Sequence, residues 1–448
     1  MGLFSKKPTG PVIKKTVFEI HWDTEDPFTF ASHHEDDYPH GNRQLAPPWE
    51  EIGGRDLGRD YDKKLGFRMY NGKVVPGFPM HAHWGYETLT YPRIGYVDHF
   101  DHKGAHGRFG FGDAQWVMAS SRYSHCEMYP LVEQEARNPN DITQIMINIP
   151  LERKNGENSV ATVWSEDIPV VRGDGWEAVV LCGSFGGESA ESPSPGTWAL
   201  RENGVRIVRF QLEPGAVLRV DPAMDGANRN IYMTSGDGAD VMGTPIMHND
   251  RAKVDGKVEM TITNGETPAV IWLLEGRPIG QKMAAFGPVI LRNTKEVRAA
   301  LDEIRKNEYA EWPFDVVDKV HLEPGTGRFI SYPDGREERP RNRDIPIRRF
   351  RGHGNPFRQG HRGKHDDRLH RHQRLPREGP HPQRLRPPHR RDTGARGPGG
   401  QEGGHGHHPT QDHVLRVHHR EGQIPQRHLR PALAQDHLDK EGHHRRIR

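Results

Sequence analysis

The sequence predicts an all-β protein: two consecutive antiparallel β blocks, closed by one helix and followed by a basic tail that does not fold. Three observations carry this. Short β-type runs recur through residues 17–150, and a second set runs through 176–276. Composition then changes abruptly near residue 350.

In the first block the runs are TVFEI, HAHWGYETLTY, IGYVDHF, RFGFGDAQWVM and ITQIMINI, separated by Gly, Pro and Asp. Punctuation every ~8–12 residues with no competing helical period is the signature of an antiparallel sandwich or barrel. The second block holds WEAVVLCG, VRIVRFQL, AVLRV and VEMTITNGETPAVIWLLEG. There Val258, Met260 and Ile262 alternate with polar residues, as on a half-buried strand. Asn264-Gly265 is a hairpin signal, and GGESAESPSPG (186–196) reads as a loop. After Asn293, with Glu296 three residues on, Val297, Leu301 and Ile304 fall at helical spacing. The expected helix covers about 294–311, its apolar stripe against one of the β blocks.

The 448 residues carry 63 Lys plus Arg and 61 Asp plus Glu, a net +2 that conceals two unlike pieces. Residues 351–448 are net +11 and hold 17 of the 29 His; residues 1–350 are net −9 and hold every Trp, Tyr, Met and Cys. A tail whose aromatics reduce to Phe357 cannot bury enough surface to offset chain entropy. Its composition also matches a GC-rich reading frame read out of register, so a shifted frame or readthrough beyond about residues 341–351 is expected. Its arginines, or the GHGHH run at 404–408, give the alternatives of nucleic-acid or metal binding through the tail.

Cys126 and Cys182 alone exclude a disulfide framework or a Cys-rich zinc module. No run approaches the ~18 apolar residues of a membrane span, and MGLFSKKPTG is neither a signal peptide nor a myristoylation signal. The expectation is a cytoplasmic protein, nuclear if the source is a eukaryote, with no membrane contact.

The chemistry concentrates between His81 and Glu127. On an extended strand His81, His83 and Glu87 share parity, and so do His125 and Glu127 in SHCEM. Imidazoles and a carboxylate without thiolates suit iron, manganese, nickel, copper or zinc. Four protein ligands would leave positions open on an ion that prefers six. His99, His102 and His106 read as solvated loop residues.

The runs Phe78-Pro79-Met80-His81-Ala82-His83-Trp84-Gly85-Tyr86-Glu87-Thr88, Gly112-Asp113-Ala114-Gln115-Trp116 and His125-Cys126-Glu127-Met128 resemble the pirin family. So do Asp26-Pro27-Phe28, Gly276-Arg277-Pro278-Ile279 and Phe286-Gly287-Pro288. The resemblance covers about residues 17–335. It implies two consecutive cupin (double-stranded β-helix) barrels: 1–155 with the metal site, and 156–340 without it but with the terminal helix, followed by the tail 341–448. The second block agrees in having only His248 and no paired ligand motif.

By the same resemblance His81, His83, His125 and Glu127 are the metal ligands, the metal is Fe(2+) or another divalent transition ion, and Glu87 stands behind them as a supporting group. The implied activity is that of a quercetin 2,3-dioxygenase-like oxidoreductase acting on a small aromatic substrate and dioxygen, with Glu127 taking the flavonol hydroxyl proton. The alternative is a non-enzymatic, redox-responsive iron protein that contacts a transcription factor or other protein partner. The chain departs from the family at Ala119-Ser120-Ser121-Arg122-Tyr123-Ser124, where glycines are usual, and at Trp84, where arginine is usual. Arg122 is expected to add a cation at the site mouth, and Gln115 to be the hydrogen-bond partner of a core Trp116.

Overall fold

A computed structural model of the chain describes residues 10–307, 311–323 and 325–341, all within one compact unit. The tail from residue 342, with the disorder, the GHGHH run and the shifted frame expected of it, lies outside the described residues. Among those described, the fold is all-β with two barrels and few helical turns.

Two facing six-stranded sheets make the first barrel. One runs in the order Ser159–Val163, Ala114–Ala119, Tyr86–Ile94, Asn138–Asn148, Phe28–Tyr38, His21–Trp22. The other runs Glu337–Glu338, Phe329–Ser331, His106–Gly110, Tyr96–Asp101, Tyr123–Met128, Gly77–His83. The second barrel has a large sheet containing Trp176–Phe185, Arg206–Leu212, Ala269–Gly276 and Asn228–Ser235, faced by a four-stranded sheet with Val217–Val220 and Met260–Asn264. Its interior is mainly apolar, with Val208, Phe210, Leu218, Ile231, Met260, Ile262 and Leu273 in one cluster, and the same inward rows end in a buried ion group in which Glu275 pairs with Arg206 and Arg229.

The ends of the chain cross the sequence boundary near residue 155. Val12–Val17 pairs with Asp250–Val254 in the second barrel, whereas Phe329–Ser331 returns to pair with His106–Gly110 in the first. Between the barrels lies a second apolar layer in which Leu89, Tyr91, Trp116, Ile145 and Ile147 meet Val179, Leu181, Ile207, Trp272 and Leu274. This layer explains the nearly unbroken apolar run ITQIMINI. Its odd-numbered residues Ile145 and Ile147 face the seam, while Ile142 and Met146 pack in other clusters on the opposite side, so the strand is buried on both faces.

The Asn264-Gly265 hairpin does not form. Met260–Asn264 pairs with Val217–Val220 and Ala239–Val241 in the small sheet, and Ala269–Gly276 belongs to the large one. The chain changes sheets there, and Asn264 Nδ2 fixes the crossing by donating to the carbonyls of Glu213 (2.9 Å) and Thr267 (2.8 Å). A local turn signal gave way to barrel closure.

The helix spans Thr294–Lys306, ending earlier than residue 311. Its cap is the expected one: Asn293 Oδ1 accepts from Glu296 N at 3.0 Å, and Asn293 Nδ2 donates to Glu296 Oε1 at 3.1 Å. Val297 and Ala300 pack on Val289, Leu291 and Trp84, so the stripe covers the hairpin Ala284–Phe286/Val289–Leu291 and the edge of the first barrel. Asn293→Ala should lower unfolding free energy by ~1 kcal/mol, read from the urea midpoint at unchanged slope. No helix among the described residues is long and apolar enough to cross a membrane.

Candidate metal centre

His81 and His83 lie on Gly77–His83, antiparallel to Tyr123–Met128, with His81 directly opposite His125. Between the pairs Phe78–Glu127 and His81–His125 the register slips, with the extra residue on the His81 strand. Gly77 permits the approach: at φ 127° a Cβ there would stand 2.5 Å from the Glu127 carbonyl oxygen.

The three imidazoles converge. His125 Nε2 is 3.1 Å from His81 Nε2 and 2.9 Å from His83 Nε2, and the three ligand atoms all lie within 4.8 Å of one another. Burial holds all three rings below the ordinary histidine range, in the neutral state that binds metal. The Pro79 carbonyl, 2.9 Å from His81 Nδ1, can only accept, so the proton sits on Nδ1 and Nε2 presents a lone pair. His83 Nδ1 is bonded by the Tyr86 hydroxyl. Imidazole nitrogens ~2.1 Å from one ion and at right angles to each other stand about 3 Å apart, the spacing of the two pairs that share His125. The residues therefore fit a transition ion.

Glu127 lies beside this group rather than within it, its Oε2 3.8 Å from His125 Nε2. Thr90 Oγ1 donates to its Oε1 at 3.0 Å and Gln144 Nε2 to its Oε2 at 2.8 Å. These donors come from the opposite sheet, where Thr90 and Gln144 are register partners. The centre is thus closed by both sheets. Sequence reasoning missed Thr90, Gln144 and Tyr86; the available signal was Gln144, a long polar side chain at an inward position of an otherwise apolar strand.

Several expectations are corrected. Glu87 is not a supporting group of the centre. The strand ends at His83, Trp84-Gly85 turns, and Tyr86 opens a strand of the other sheet, so parity is lost. Gly85, at φ 92°, would place a Cβ 2.0 Å from the Ile290 carbonyl oxygen, so only glycine makes this turn. Tyr86 then points to His83, and Glu87 points across the seam to Ser192 (2.5 Å) and Thr197 in the second barrel. Burial pushes its carboxyl up, and those hydroxyls offset part of the shift.

His99, His102 and His106 are not solvated loop residues either. His99 is fully buried on Tyr96–Asp101, its ring 5.3 Å from that of His125. Asp101 accepts from the Tyr123 hydroxyl at 2.5 Å, with His99 Nε2 3.3 Å from the same hydroxyl. His102 is buried against Ser124, and His106 stacks on Phe100. Only His99 lies on that strand and faces the centre; His102 sits in the turn after it, and His106 opens the next strand on the face covered by Phe314 and His321.

Arg122 leaves the site mouth alone. Its guanidinium pairs with Glu311 at 2.6 Å and donates to the Asn307 carbonyl at 3.2 Å, tying the end of the helix to the first barrel. Trp84 donates to Asn155 Oδ1 at 2.7 Å. Gln115 is not the partner of Trp116, since adjacent strand residues face opposite ways: Trp116 packs in the seam and Gln115 Nε2 reaches Thr162 Oγ1 at 3.4 Å.

Comparison with known proteins agrees with this architecture. The pirin profile matches residues 13–146 and the pirin C-terminal cupin domain matches 207–310, together more than half the chain. Human pirin is 27% identical over 257 residues, covering 56% of this chain and 84% of its own length. A Pseudomonas aeruginosa protein provisionally named a quercetin 2,3-dioxygenase is 26% identical over 235 residues, covering 52% of this chain and 79% of its own. A crystal structure of quercetin 2,3-dioxygenase from Acinetobacter baumannii superposes with a TM-score of 0.50 at 18% identity, covering 66% of this chain and 83% of that one, a likeness of fold.

Proposed function

The chain belongs to the pirin family, and from that premise we propose that its first cupin barrel is an oxygenase centre for a flavonol-like aromatic hydroxyl compound. The convergence of three neutral Nε2 atoms within one buried barrel carries this reading. His81, His83, His125 and Glu127 would hold a divalent transition ion, taken as iron. Bound there, the ion supplies Lewis acidity and one-electron chemistry.

The chain's own residues supply the rest. The Pro79 carbonyl and the Tyr86 hydroxyl orient the His81 and His83 rings. Thr90 and Gln144 fix the Glu127 carboxylate, which would take the substrate hydroxyl proton. Tyr86, Phe30, Met146, Met283 and Ile290 form an apolar cluster beside His83, a surface suited to a flat aromatic ring.

Oxygen uptake with quercetin tests the reading. Iron-loaded protein should consume oxygen, and His81→Ala should not. Glu127→Gln should lower the rate ~100-fold or more, the size of a lost general base. If protein loaded in turn with iron, manganese, nickel and copper consumes no oxygen over a broad flavonol panel, the enzymatic reading fails and the metal-binding regulator takes its place.

A further inference from the structure

The seam between the barrels is built from rows of side chains two residues apart, apolar until the rows end. Along Tyr86–Ile94 the outward row is Glu87, Leu89, Tyr91, Arg93; on the facing strand Arg206–Leu212 it contains Ile207 and Arg209. Leu89, Tyr91 and Ile207 share one cluster with Trp272. Trp272 is the register partner of Arg209, and its ring lies 5.9 Å from that of Tyr91. Arg93 and Arg209 therefore close the same end of the seam from opposite barrels.

The other charges at this end are accounted for. Asp141 accepts from Arg93 Nε at 2.6 Å and faces His33 Nε2 at 2.9 Å. Glu177, on the strand beside Arg209, pairs with Arg172 at 2.8 Å. Arg209 is left over. It is only 4% exposed, and among the described residues its guanidinium makes no hydrogen bond, ion pair or ring contact. Burial, then the like charge of Arg93, draws its pKa down to about 10. An arginine remains charged under these conditions, and a guanidinium so largely withdrawn from water beside a second one is costly unless something accepts from it.

We propose that Arg209 and Arg93 frame a binding site for a small oxyanion, a carboxylate or a phosphate group, at the end of the inter-barrel seam. A planar guanidinium fork matches two oxygens of such a group, and the anion would supply the direct partner that Asp141 and Glu177, which act on Arg209 only as nearby charges, do not. The site lies across the barrel wall from the metal centre, because Thr90 points inward to Glu127 while Tyr91 and Arg93 point outward. It does not depend on the proposed oxygenase activity. Occupancy would join the two barrels and so stabilise the folded chain.

Thermal unfolding of the full chain tests this, with sodium phosphate and sodium acetate titrated separately against sodium chloride at matched ionic strength. The wild type should show a saturating rise in Tm of about 3 °C or more with at least one of the two anions. Arg209→Leu should be flat to both, and in chloride it should unfold no lower than the wild type, since an apolar side chain replaces an unpaired buried charge. A response to phosphate alone identifies a phosphate ligand, and a response to acetate alone a carboxylate. Equal rises in wild type and Arg209→Leu, or no rise in the wild type, overturn the proposal. Should Arg209→Leu fail to fold, calorimetric titration of the wild type with phosphate and acetate decides, and absence of binding heat for both overturns it.

Discussion

His125→Ala should lose one equivalent of bound transition metal relative to the wild type, with affinity at the centre falling more than ~100-fold. Loss of an outer partner of a ligand typically costs ~10–100-fold, and His125 is more central than that. Its Nε2 is the atom to which both other imidazoles come, at 2.9 and 3.1 Å, and its side chain is fully buried. Tyr86→Phe, which removes only the hydroxyl orienting His83, should fall within the outer-partner range. Metal content by mass spectrometry after dialysis against a weak chelator measures both. Comparison with the wild type cancels any ions held by the histidine-rich tail. Retention of the full equivalent in His125→Ala would contradict the ligand set.

Arg108→Ala should destabilise the fold by ~3–5 kcal/mol, the cost of breaking a buried ion pair by removing one partner. Arg108 and Asp98 are both fully buried, bridged through Nε–Oδ1 at 2.6 Å and Nη2–Oδ2 at 2.8 Å. Arg108 also donates to the His321 carbonyl at 2.7 Å, and Asp98 accepts from His321 N at 2.8 Å. The pair therefore anchors the returning C-terminal segment to the first barrel. That segment in turn holds the edge strand of the metal centre, since Met80 N donates to the Val317 carbonyl at 2.7 Å. Urea unfolding gives the cost, and a loss under ~1 kcal/mol would sink the argument. Arg108→Met combined with Asp98→Leu should recover part of the stability, because it removes the stranded charge but leaves the His321 N–H and carbonyl without their side-chain partners.

Much of the centre was legible because its signals are local. His-x-His and His-x-Glu on extended strands fix which face each side chain takes, and a cap such as Asn293 with Glu296 is complete within four residues. Legibility failed where the deciding contact was distant. Glu87 shares parity with His81 and His83 only if the strand runs straight, and the turn at Gly85 is imposed by the backbone of Ile290, more than two hundred residues away. Asn264-Gly265 carries a hairpin signal that the change of sheets overrides. His99 looks solvated until the barrel closes around a polar interior.

The sequence by itself determined the all-β class, the number of β blocks, the family and the residues with ligand chemistry, because alternation, capping and motif spacing are properties of neighbouring residues. Tertiary structure decided which of those residues share a site. It brought Thr90 and Gln144 to Glu127 from the opposite sheet, turned Glu87 and Arg122 away, and left Arg209 unpaired at the seam. Such pairings depend on which strands become neighbours when the barrels close, and strand parity assigns a face without saying what lies opposite it.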